Sequence, residues 1–154
     1  EIAVGPQYFA FLSEFLLFQI QVADRIAHRR LSVEDRISFT STLANRVAET
    51  HAENESRLLI CELSDCKKHF IDRLNQRFDE YAELGYGESG PDFSFTRYLA
   101  FCMEQVMDDK DVEWVIDQMM SIEAPEAVDM VEKTMRNLYE TEPKQSRRAT
   151  VSGD

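Results

Sequence analysis

Large apolar side chains dominate the stretch from Tyr8 to Val22, which reads YFAFLSEFLLFQIQV. On a helix, these side chains would point in almost every direction and would not form a single stripe. A helix that is apolar on every face has to be enclosed, either by the rest of its own domain or by a second copy of the chain. The pattern therefore predicts a buried helix, which should begin at Pro6 and end at the basic group 28–30.

Two amphipathic helices are predicted to follow, the first of them capped by Ser32. A break is expected within residues 51–56, because 52 residues of unbroken helix would reach about 78 Å, far beyond a compact domain of this length. The first stripe consists of Ile37, Thr40, Ala44, Val47 and His51, and the second of Leu59, Leu63, Cys66, Phe70, Leu74, Phe78 and Tyr81.

The remaining third of the chain reads as shorter helices. Three glycines and a proline between Gly85 and Pro91 predict a loop, and helices are expected at about 95–107 and again after residues 108–111. The pair Ala124–Pro125 predicts another break before a last helix that ends near Glu142. Residues 143–154 have no apolar period, so we expect a disordered basic tail after a single helical domain at 1–142.

No alternating β-pattern occurs in the sequence, and every periodic segment has helical spacing. The expected fold class is therefore all-α. We predict an irregular bundle of five or six helices around the central apolar N-terminal helix. The longest apolar run, about 15 residues, is shorter than the ~20 that a transmembrane helix needs, so membrane insertion is not expected. Nor does this run resemble a signal peptide, because no basic segment precedes it.

The net charge of −12 narrows the range of partners. It disfavours nucleic-acid phosphates and anionic membrane surfaces. The region 87–143 carries fourteen acidic and four basic residues, which suits either solubility or contact with a basic protein partner. Three cysteines are too few and odd in number for a secreted disulfide scaffold, so the expected compartment is reducing and the expected location cytoplasmic.

Potential metal ligands are densest between residues 62 and 72. Glu62, Cys66 and His69 are the weak candidates, together with Asp65 and Asp72. Their spacing places the acids and His69 on the solvated face of the helix, and no second ligand set lies elsewhere in the sequence. Glu-x-x-His pairs, which a di-iron bundle requires, do not occur. We therefore expect no metal and no cofactor.

The cysteines are expected to be packing residues, and no catalytic residue is predicted. Cys66 lies on the margin of an apolar stripe, and Cys102 lies within the apolar run YLAFCMEQVM. Cys61 and Cys66 would be about 140° apart on a continuous helix, so that a bond between them would break it.

Aromatic residues are frequent in the loop and helix after residue 85. Four of them could line a pocket for a small apolar ligand, although aromatics at this density are more often core and lid. The candidate pocket residues are Tyr86, Phe93, Tyr98 and Phe101.

Glu14 is the one charged residue within the apolar stretch from Tyr8 to Val22. Burial of a carboxylate is costly unless it is paired, so we expect an arginine from a facing helix or from a second subunit, or else a position at the least buried edge. Arg25 could meet it across an antiparallel dimer. Uncovered apolar surface on this helix would favour a homodimer. The candidate interface consists of Phe11, Glu14, Phe15, Phe18, Val22 and Arg25.

The sequence therefore favours a non-catalytic helical interaction or regulatory module that self-associates through its first helix. A binding protein for a small apolar ligand is the alternative, and a metal-dependent enzyme is the third possibility. All three hypotheses rest on the residue pattern alone. The predicted fold does not choose between them, because fold does not imply function.

Overall fold

The computed structural model describes residues 5–59, 61–108 and 110–151, with side chains as far as residue 140. These residues form an all-α bundle, as the periodicity predicts. Within these ranges, none of the helices has both the length and the apolar character that a bilayer-spanning segment requires. The helices are α1 (Pro6–Arg30), α2 (Val33–Leu59), α3 (Leu63–Tyr81), α4 (Phe93–Glu104), α5 (Val112–Gln118) and α6 (Ala124–Val151), with a π-helical turn (Met119–Glu123) between the last two.

Helix α1 lies at the centre of the bundle. Its bounds are the predicted ones, and no residue from Phe9 to Ala27 is classed as exposed. Helices α2, α3, α4 and α6 all pack against it. A single chain therefore encloses most of the apolar N-terminal segment, while Tyr8 is 39% exposed.

Three apolar clusters surround α1, and each contains α1 residues. Phe18 and Val22 pack with α3, α4 and the α5–α6 region, Leu17 and Ile20 pack with α2 and α3, and Ala23 and Ala27 pack with α6. Burial of a large apolar side chain of this kind stabilises the folded state by about 1.5–3 kcal/mol. The direction of these contacts explains why the N-terminal sequence has no polar face.

Helix α2 is longer than the sequence indicates, so the predicted break at 51–56 is wrong. Its packed face continues through that segment, where His51 and Ala52 are buried. The chain turns only after Leu59, where the Ser56 hydroxyl donates a hydrogen bond to the carbonyl oxygen of Cys61, at 2.5 Å. At the other end of α2, the predicted cap is confirmed, because the backbone N–H of Asp35 donates to Ser32 Oγ at 3.1 Å.

Each amphipathic stripe predicts most of the buried face of its helix, although Leu63 of α3 is 48% exposed. In α3, Cys66, Phe70, Leu74 and Tyr81 are all buried. In α2, Thr40, Ala44 and His51 are buried, whereas Ile37 is 61% exposed beside an open groove of about 480 Å³ between the two helices.

The predicted loop after α3 contains a very short antiparallel pairing, between β1 (Tyr86–Gly87) and β2 (Gly90–Pro91). Gly90 has a φ of 109°, a left-handed conformation that favours glycine. The turn places Tyr86 against Phe95 of α4, with their ring centroids 5.4 Å apart.

The predicted break at Ala124–Pro125 is wrong, because α5 continues through the π-helical turn into α6. The backbone N–H of Ala124 donates to the carbonyl oxygen of Met119, five residues earlier. This wider turn accommodates Pro125, whose ring would otherwise meet the carbonyl of Ser121 in a regular α-helix.

The backbone of α6 is helical to Val151, beyond the predicted end near Glu142. Side chains after residue 140 and the whole of residues 152–154 lie outside what the structure describes. The domain boundary at residue 142 and the disorder of the tail stay predictions.

Candidate functional site

A shallow apolar groove lies between α1 and α5. Phe11 and Phe15 of α1 form one wall, and the other wall contains Trp114 and Val115 of α5 and the start of the π-helical turn. The groove has a volume of about 330 Å³. Trp114 is 70% exposed although it is the largest side chain in the groove. We call this surface the α1–α5 groove; its remaining lining residues are Gln118, Met119 and Glu123.

Acidic side chains lie on both sides of Trp114 in the sequence, on α5 and at the residue before it. Asp111, Glu113 and Asp117 are all exposed. A seven-residue helix is about 10 Å long, so these carboxylates lie within roughly one Debye length of the indole at physiological salt. The surface thus combines an exposed aromatic ring, an apolar depression and a concentration of negative charge.

Some of the predicted dimer residues are buried in the structure, and others are partly exposed. Phe18 and Val22 are fully buried in the core of the chain, and Glu14 is 1% exposed. These three side chains therefore have no surface to offer a second copy, contrary to the prediction. Phe11 and Phe15 are partly exposed, and they are the predicted interface residues that line the α1–α5 groove.

Glu14 is paired within the chain, through arginines of α3. Its carboxylate accepts hydrogen bonds from Arg77 Nε at 2.9 Å and Nη2 at 2.7 Å, and from Arg73 Nη1 at 3.4 Å. The hydrogen bonds to Glu14 raise the pKa of Arg77 above its usual value, and its guanidinium stays charged. Of the three expected arrangements, an arginine on a facing helix is the one observed.

Arg25 does not face Glu14, as an antiparallel dimer would require. Its guanidinium donates to the carbonyl oxygens of Tyr81, at 2.5 Å, and Leu84, at 2.9 Å. These oxygens lie at and just beyond the C-terminal end of α3, where the helix dipole favours a cation. Arg25 therefore caps α3 within the same chain.

The four aromatic residues predicted to line a ligand pocket do not converge on one cavity. Phe93 is 75% exposed and borders one depression, whereas Tyr86 borders another. Tyr98 and Phe101 stack on each other, with centroids 5.9 Å apart. The aromatic density reflects packing around Tyr81 and Phe95, which the core requires.

The candidate metal ligands are also not assembled. Glu62 and His69 are exposed, and Cys66 forms a disulfide with Cys61. In the part of the chain that the structure describes, no group of three or more histidine, cysteine or acidic side chains could hold a metal ion.

The disulfide itself corrects the sequence interpretation. A Cys61–Cys66 bond would break a continuous helix, but Cys61 lies in the turn before α3 begins at Leu63. Outside the helix, the backbone of Cys61 is free to bring its sulfur towards Cys66. Cys102 is buried and has a free thiol, as its apolar surroundings predict, and burial raises its pKa to about 12.

One serine–histidine contact, which the sequence did not suggest, resembles part of a catalytic triad. Ser13 Oγ lies 2.7 Å from His51 Nε2. Glu55 Oε2 approaches the same nitrogen, at 3.9 Å, and so it cannot orient the ring through Nδ1 as a triad acid does. Ser13 lies in the middle of α1, where backbone N–H groups are used by the helix and cannot form an oxyanion hole. The contact serves to satisfy a buried imidazole.

Trp114 is an exposed residue that was not among the site residues predicted from the sequence. The helical apolar stripe of this segment consists of Val112, Val115, Ile116, Met119 and Met120 and leaves Trp114 out, and its Val115 and Met119 are buried. The available signal was the position of the single tryptophan off this stripe and directly after Glu113. A large aromatic residue outside a packed face is typical of a binding surface.

Comparisons with protein-family profiles, with curated proteins and with solved structures found no match to this chain.

Proposed function

We propose that this chain is a non-catalytic interaction module that binds a basic amphipathic helix of a partner protein in the α1–α5 groove. The observation that carries the proposal is the 70% exposure of Trp114 beside an apolar depression and on an acidic helix. Tryptophan is among the residues that contribute most to binding energy at protein interfaces. An amphipathic helix would place its apolar face in the groove.

The negative charge around the groove favours a basic partner. Asp111, Glu113 and Asp117 make the face around Trp114 negative, and the whole chain carries a net charge of −12. Complementary charge accelerates association and suppresses partners of the wrong sign. A helix with lysines or arginines flanking its apolar face fits this surface, in agreement with the basic partner expected for residues 87–143.

Self-association is the competing use of the same groove. With Phe18 and Val22 buried, a homodimer through α1 would depend on Phe11 and Phe15. It would bring two copies of the acidic α5 face together, and like charges across an interface oppose binding. A basic partner is therefore the better occupant, and the homodimer becomes an outcome of the test.

The cytoplasmic location belongs to this proposal as well. It rests on the small and odd number of cysteines. The Cys61–Cys66 disulfide gives it no support, since disulfides persist mainly in oxidising compartments.

A designed peptide tests the groove directly. The probe is an 18-residue helix of leucines and lysines at amphipathic spacing, and its counterpart replaces every lysine with glutamate. Because Trp114 is the only tryptophan, its fluorescence should shift to the blue as the basic peptide covers it. We expect the acidic counterpart to bind at least tenfold more weakly.

Matched variants separate the groove from general attraction to an acidic protein. With a labelled peptide, Trp114→Ala should weaken binding at least tenfold, whereas Phe93→Ala, at an equally exposed aromatic residue outside the groove, should not. Likewise Glu113→Gln with Asp117→Asn should weaken binding more than Glu53→Gln with Asp72→Asn. If the groove variants and their controls weaken binding equally, the proposal is refuted.

Sedimentation of the free chain addresses self-association. A monomer up to millimolar concentration is expected. A dimer that Trp114→Ala dissociates would assign the groove to a second copy and would overturn the proposed basic partner.

A further inference from the structure

Three arginines line a second pocket, on a different part of the surface. Arg29 and Arg30 come from the end of α1, and Arg136 comes from α6. The pocket has a volume of about 400 Å³ and lies beside the turn between β1 and β2. It shares no lining residue with the α1–α5 groove. We call it the arginine pocket.

Among the side chains that the structure describes, none of these three guanidinium groups forms an ion pair with a carboxylate. Arg29 donates to the carbonyl oxygen of Tyr86, at 3.0 Å, and Arg30 lies over the ring of Tyr139, at 5.3 Å. By contrast, Arg36 pairs with Asp24 and Arg77 pairs with Glu14. Arg29 and Arg30 are thus held in place by neutral groups.

This arrangement is unexpected in a chain with 29 acidic and 17 basic residues. Carboxylates are in excess in the chain as a whole, and clustered positive charges repel each other. A guanidinium group has five N–H donors, so the single bond from Arg29 to Tyr86 leaves several free to bind. The cluster therefore provides directed donors and positive charge at one place.

The pocket also contains two acids, and their positions limit what can bind. Glu132 accepts a hydrogen bond from the hydroxyl of Tyr86, at 3.2 Å, and Glu88 is exposed on the turn. Burial and the neighbouring Glu132 raise the pKa of Tyr86 above its usual value. The five charges sum to +1, which favours an anion over a cation.

We propose that the arginine pocket binds a small aromatic phosphate monoester. Arginine forks match phosphate oxygens with paired hydrogen bonds, which suits the doubly charged phosphate of a monoester. Tyr86, Tyr139 and Ile26 supply aromatic and apolar surface for a planar ring. The volume lies within the range of small-molecule sites, of about 300–1,000 Å³.

Calorimetric titration with four probes tests both parts of the ligand. These are adenosine monophosphate, phenyl phosphate, inorganic phosphate and adenosine. We expect saturable binding of the two aromatic phosphates, at least fivefold weaker binding of inorganic phosphate and no detectable binding of adenosine. Tighter binding of inorganic phosphate would refute the aromatic part, and absence of saturable binding at 10 mM of every probe would refute the site.

Charge-matched variants locate the binding. Arg136→Gln changes an exposed side chain and should leave folding intact, while Arg29→Gln removes the donor to Tyr86. Each is expected to weaken binding of phenyl phosphate at least tenfold, and Arg46→Gln, an exposed arginine of α2 outside the pocket, should have no effect. Equal weakening by all three variants would show attraction to general charge and would overturn the proposal. Because the α1–α5 groove is separate, peptide binding there should be unchanged by Arg136→Gln.

Discussion

The imidazole of His51 lies between the rings of Phe9 and Phe70, with centroid distances of 5.8 and 5.3 Å. It is 3% exposed, and burial lowers its pKa from the usual 6.5. The Ser13 hydroxyl provides a hydrogen-bond partner for the neutral ring. The same histidine on the solvated face of α2 would titrate in water, so its chemistry depends on its place in the bundle.

We expect acidification to reduce the free energy of unfolding through His51. Below about pH 6.5 the unfolded chain binds a proton that the folded imidazole resists, so stability falls as the pH decreases towards the folded-state pKa. The slope from this one group is at most about 1.4 kcal/mol per pH unit. Urea denaturation between pH 7.5 and 5 measures it.

The double variant Ser13→Ala/His51→Phe should flatten this pH dependence while it keeps an aromatic ring between Phe9 and Phe70. Ser13→Ala alone retains the buried imidazole and should keep most of the slope. If the double variant shows the same slope as the unaltered chain, the pH dependence comes from other groups.

Helices α1 and α3 are joined by a charged contact as well as by apolar packing. Glu14 is nearly inaccessible, and Arg77 contributes two hydrogen bonds to it from the facing helix. Loss of one partner from a buried pair leaves the other charged group in a medium that solvates it poorly. The contact thus makes the alignment of the two helices sensitive to single substitutions.

Glu14→Leu should lower the free energy of unfolding by about 3 kcal/mol, the lower end for a broken buried pair, because Arg77 loses its two hydrogen bonds to Glu14 and keeps only its ion pair with Glu80. The double variant Glu14→Leu/Arg77→Leu should recover part of that loss, since it removes both charges. Urea unfolding measures both effects, with the exposed Glu62→Gln as a control of less than about 0.5 kcal/mol. A double variant less stable than Glu14→Leu would contradict this account.

Some helix ends were predicted well from a local signal, whereas others depend on packing. Pro6 and the basic residues at the end of α1 mark its limits, and Ser32 marks the start of α2. The polar segment 51–56 has no such signal, and α2 continues there because His51 and Ala52 face the core. Pro125 is a strong local signal, yet the π-helical turn accommodates it without ending the helix.

The negative charge acts on the molecule as a whole. With a net charge of −12, the folded chain holds its carboxylates closer together than the unfolded chain does, which costs free energy. Salt largely screens exposed charges that are more than about 8–10 Å apart but affects a buried pair such as Glu14–Arg77 much less. Screening should therefore remove more repulsion than attraction.

We expect the melting temperature to rise by a few degrees between 10 and 200 mM sodium chloride, which corresponds to about 1 kcal/mol. Calorimetry or circular dichroism measures this, and choline chloride should give the same rise if screening is the cause. A fall in the melting temperature would mean that surface ion pairs outweigh the general repulsion.

The sequence predicts the partner class of the α1–α5 groove, but it predicts the assembly of neither proposed binding surface. Excess acid in residues 87–143 indicates a basic partner, but the groove needs Phe15 of α1 to lie beside Trp114 of α5. The arginine pocket needs Arg29 and Arg136 to meet across the bundle. Such pairs are about a hundred residues apart along the chain, and no local period relates them.

The sequence by itself determined the helical class and the central position of α1, because helical periodicity is local and an apolar helix without a polar face must be enclosed. It also limited Glu14 to an arginine partner or the least buried edge of the helix, since an unpaired buried carboxylate is too costly. Only the tertiary structure decided that this partner is Arg77, that one chain suffices to bury Phe18 and Val22, and that Trp114 remains in solvent. These outcomes depend on how the helices pack, and packing is set by the whole set of contacts between distant segments.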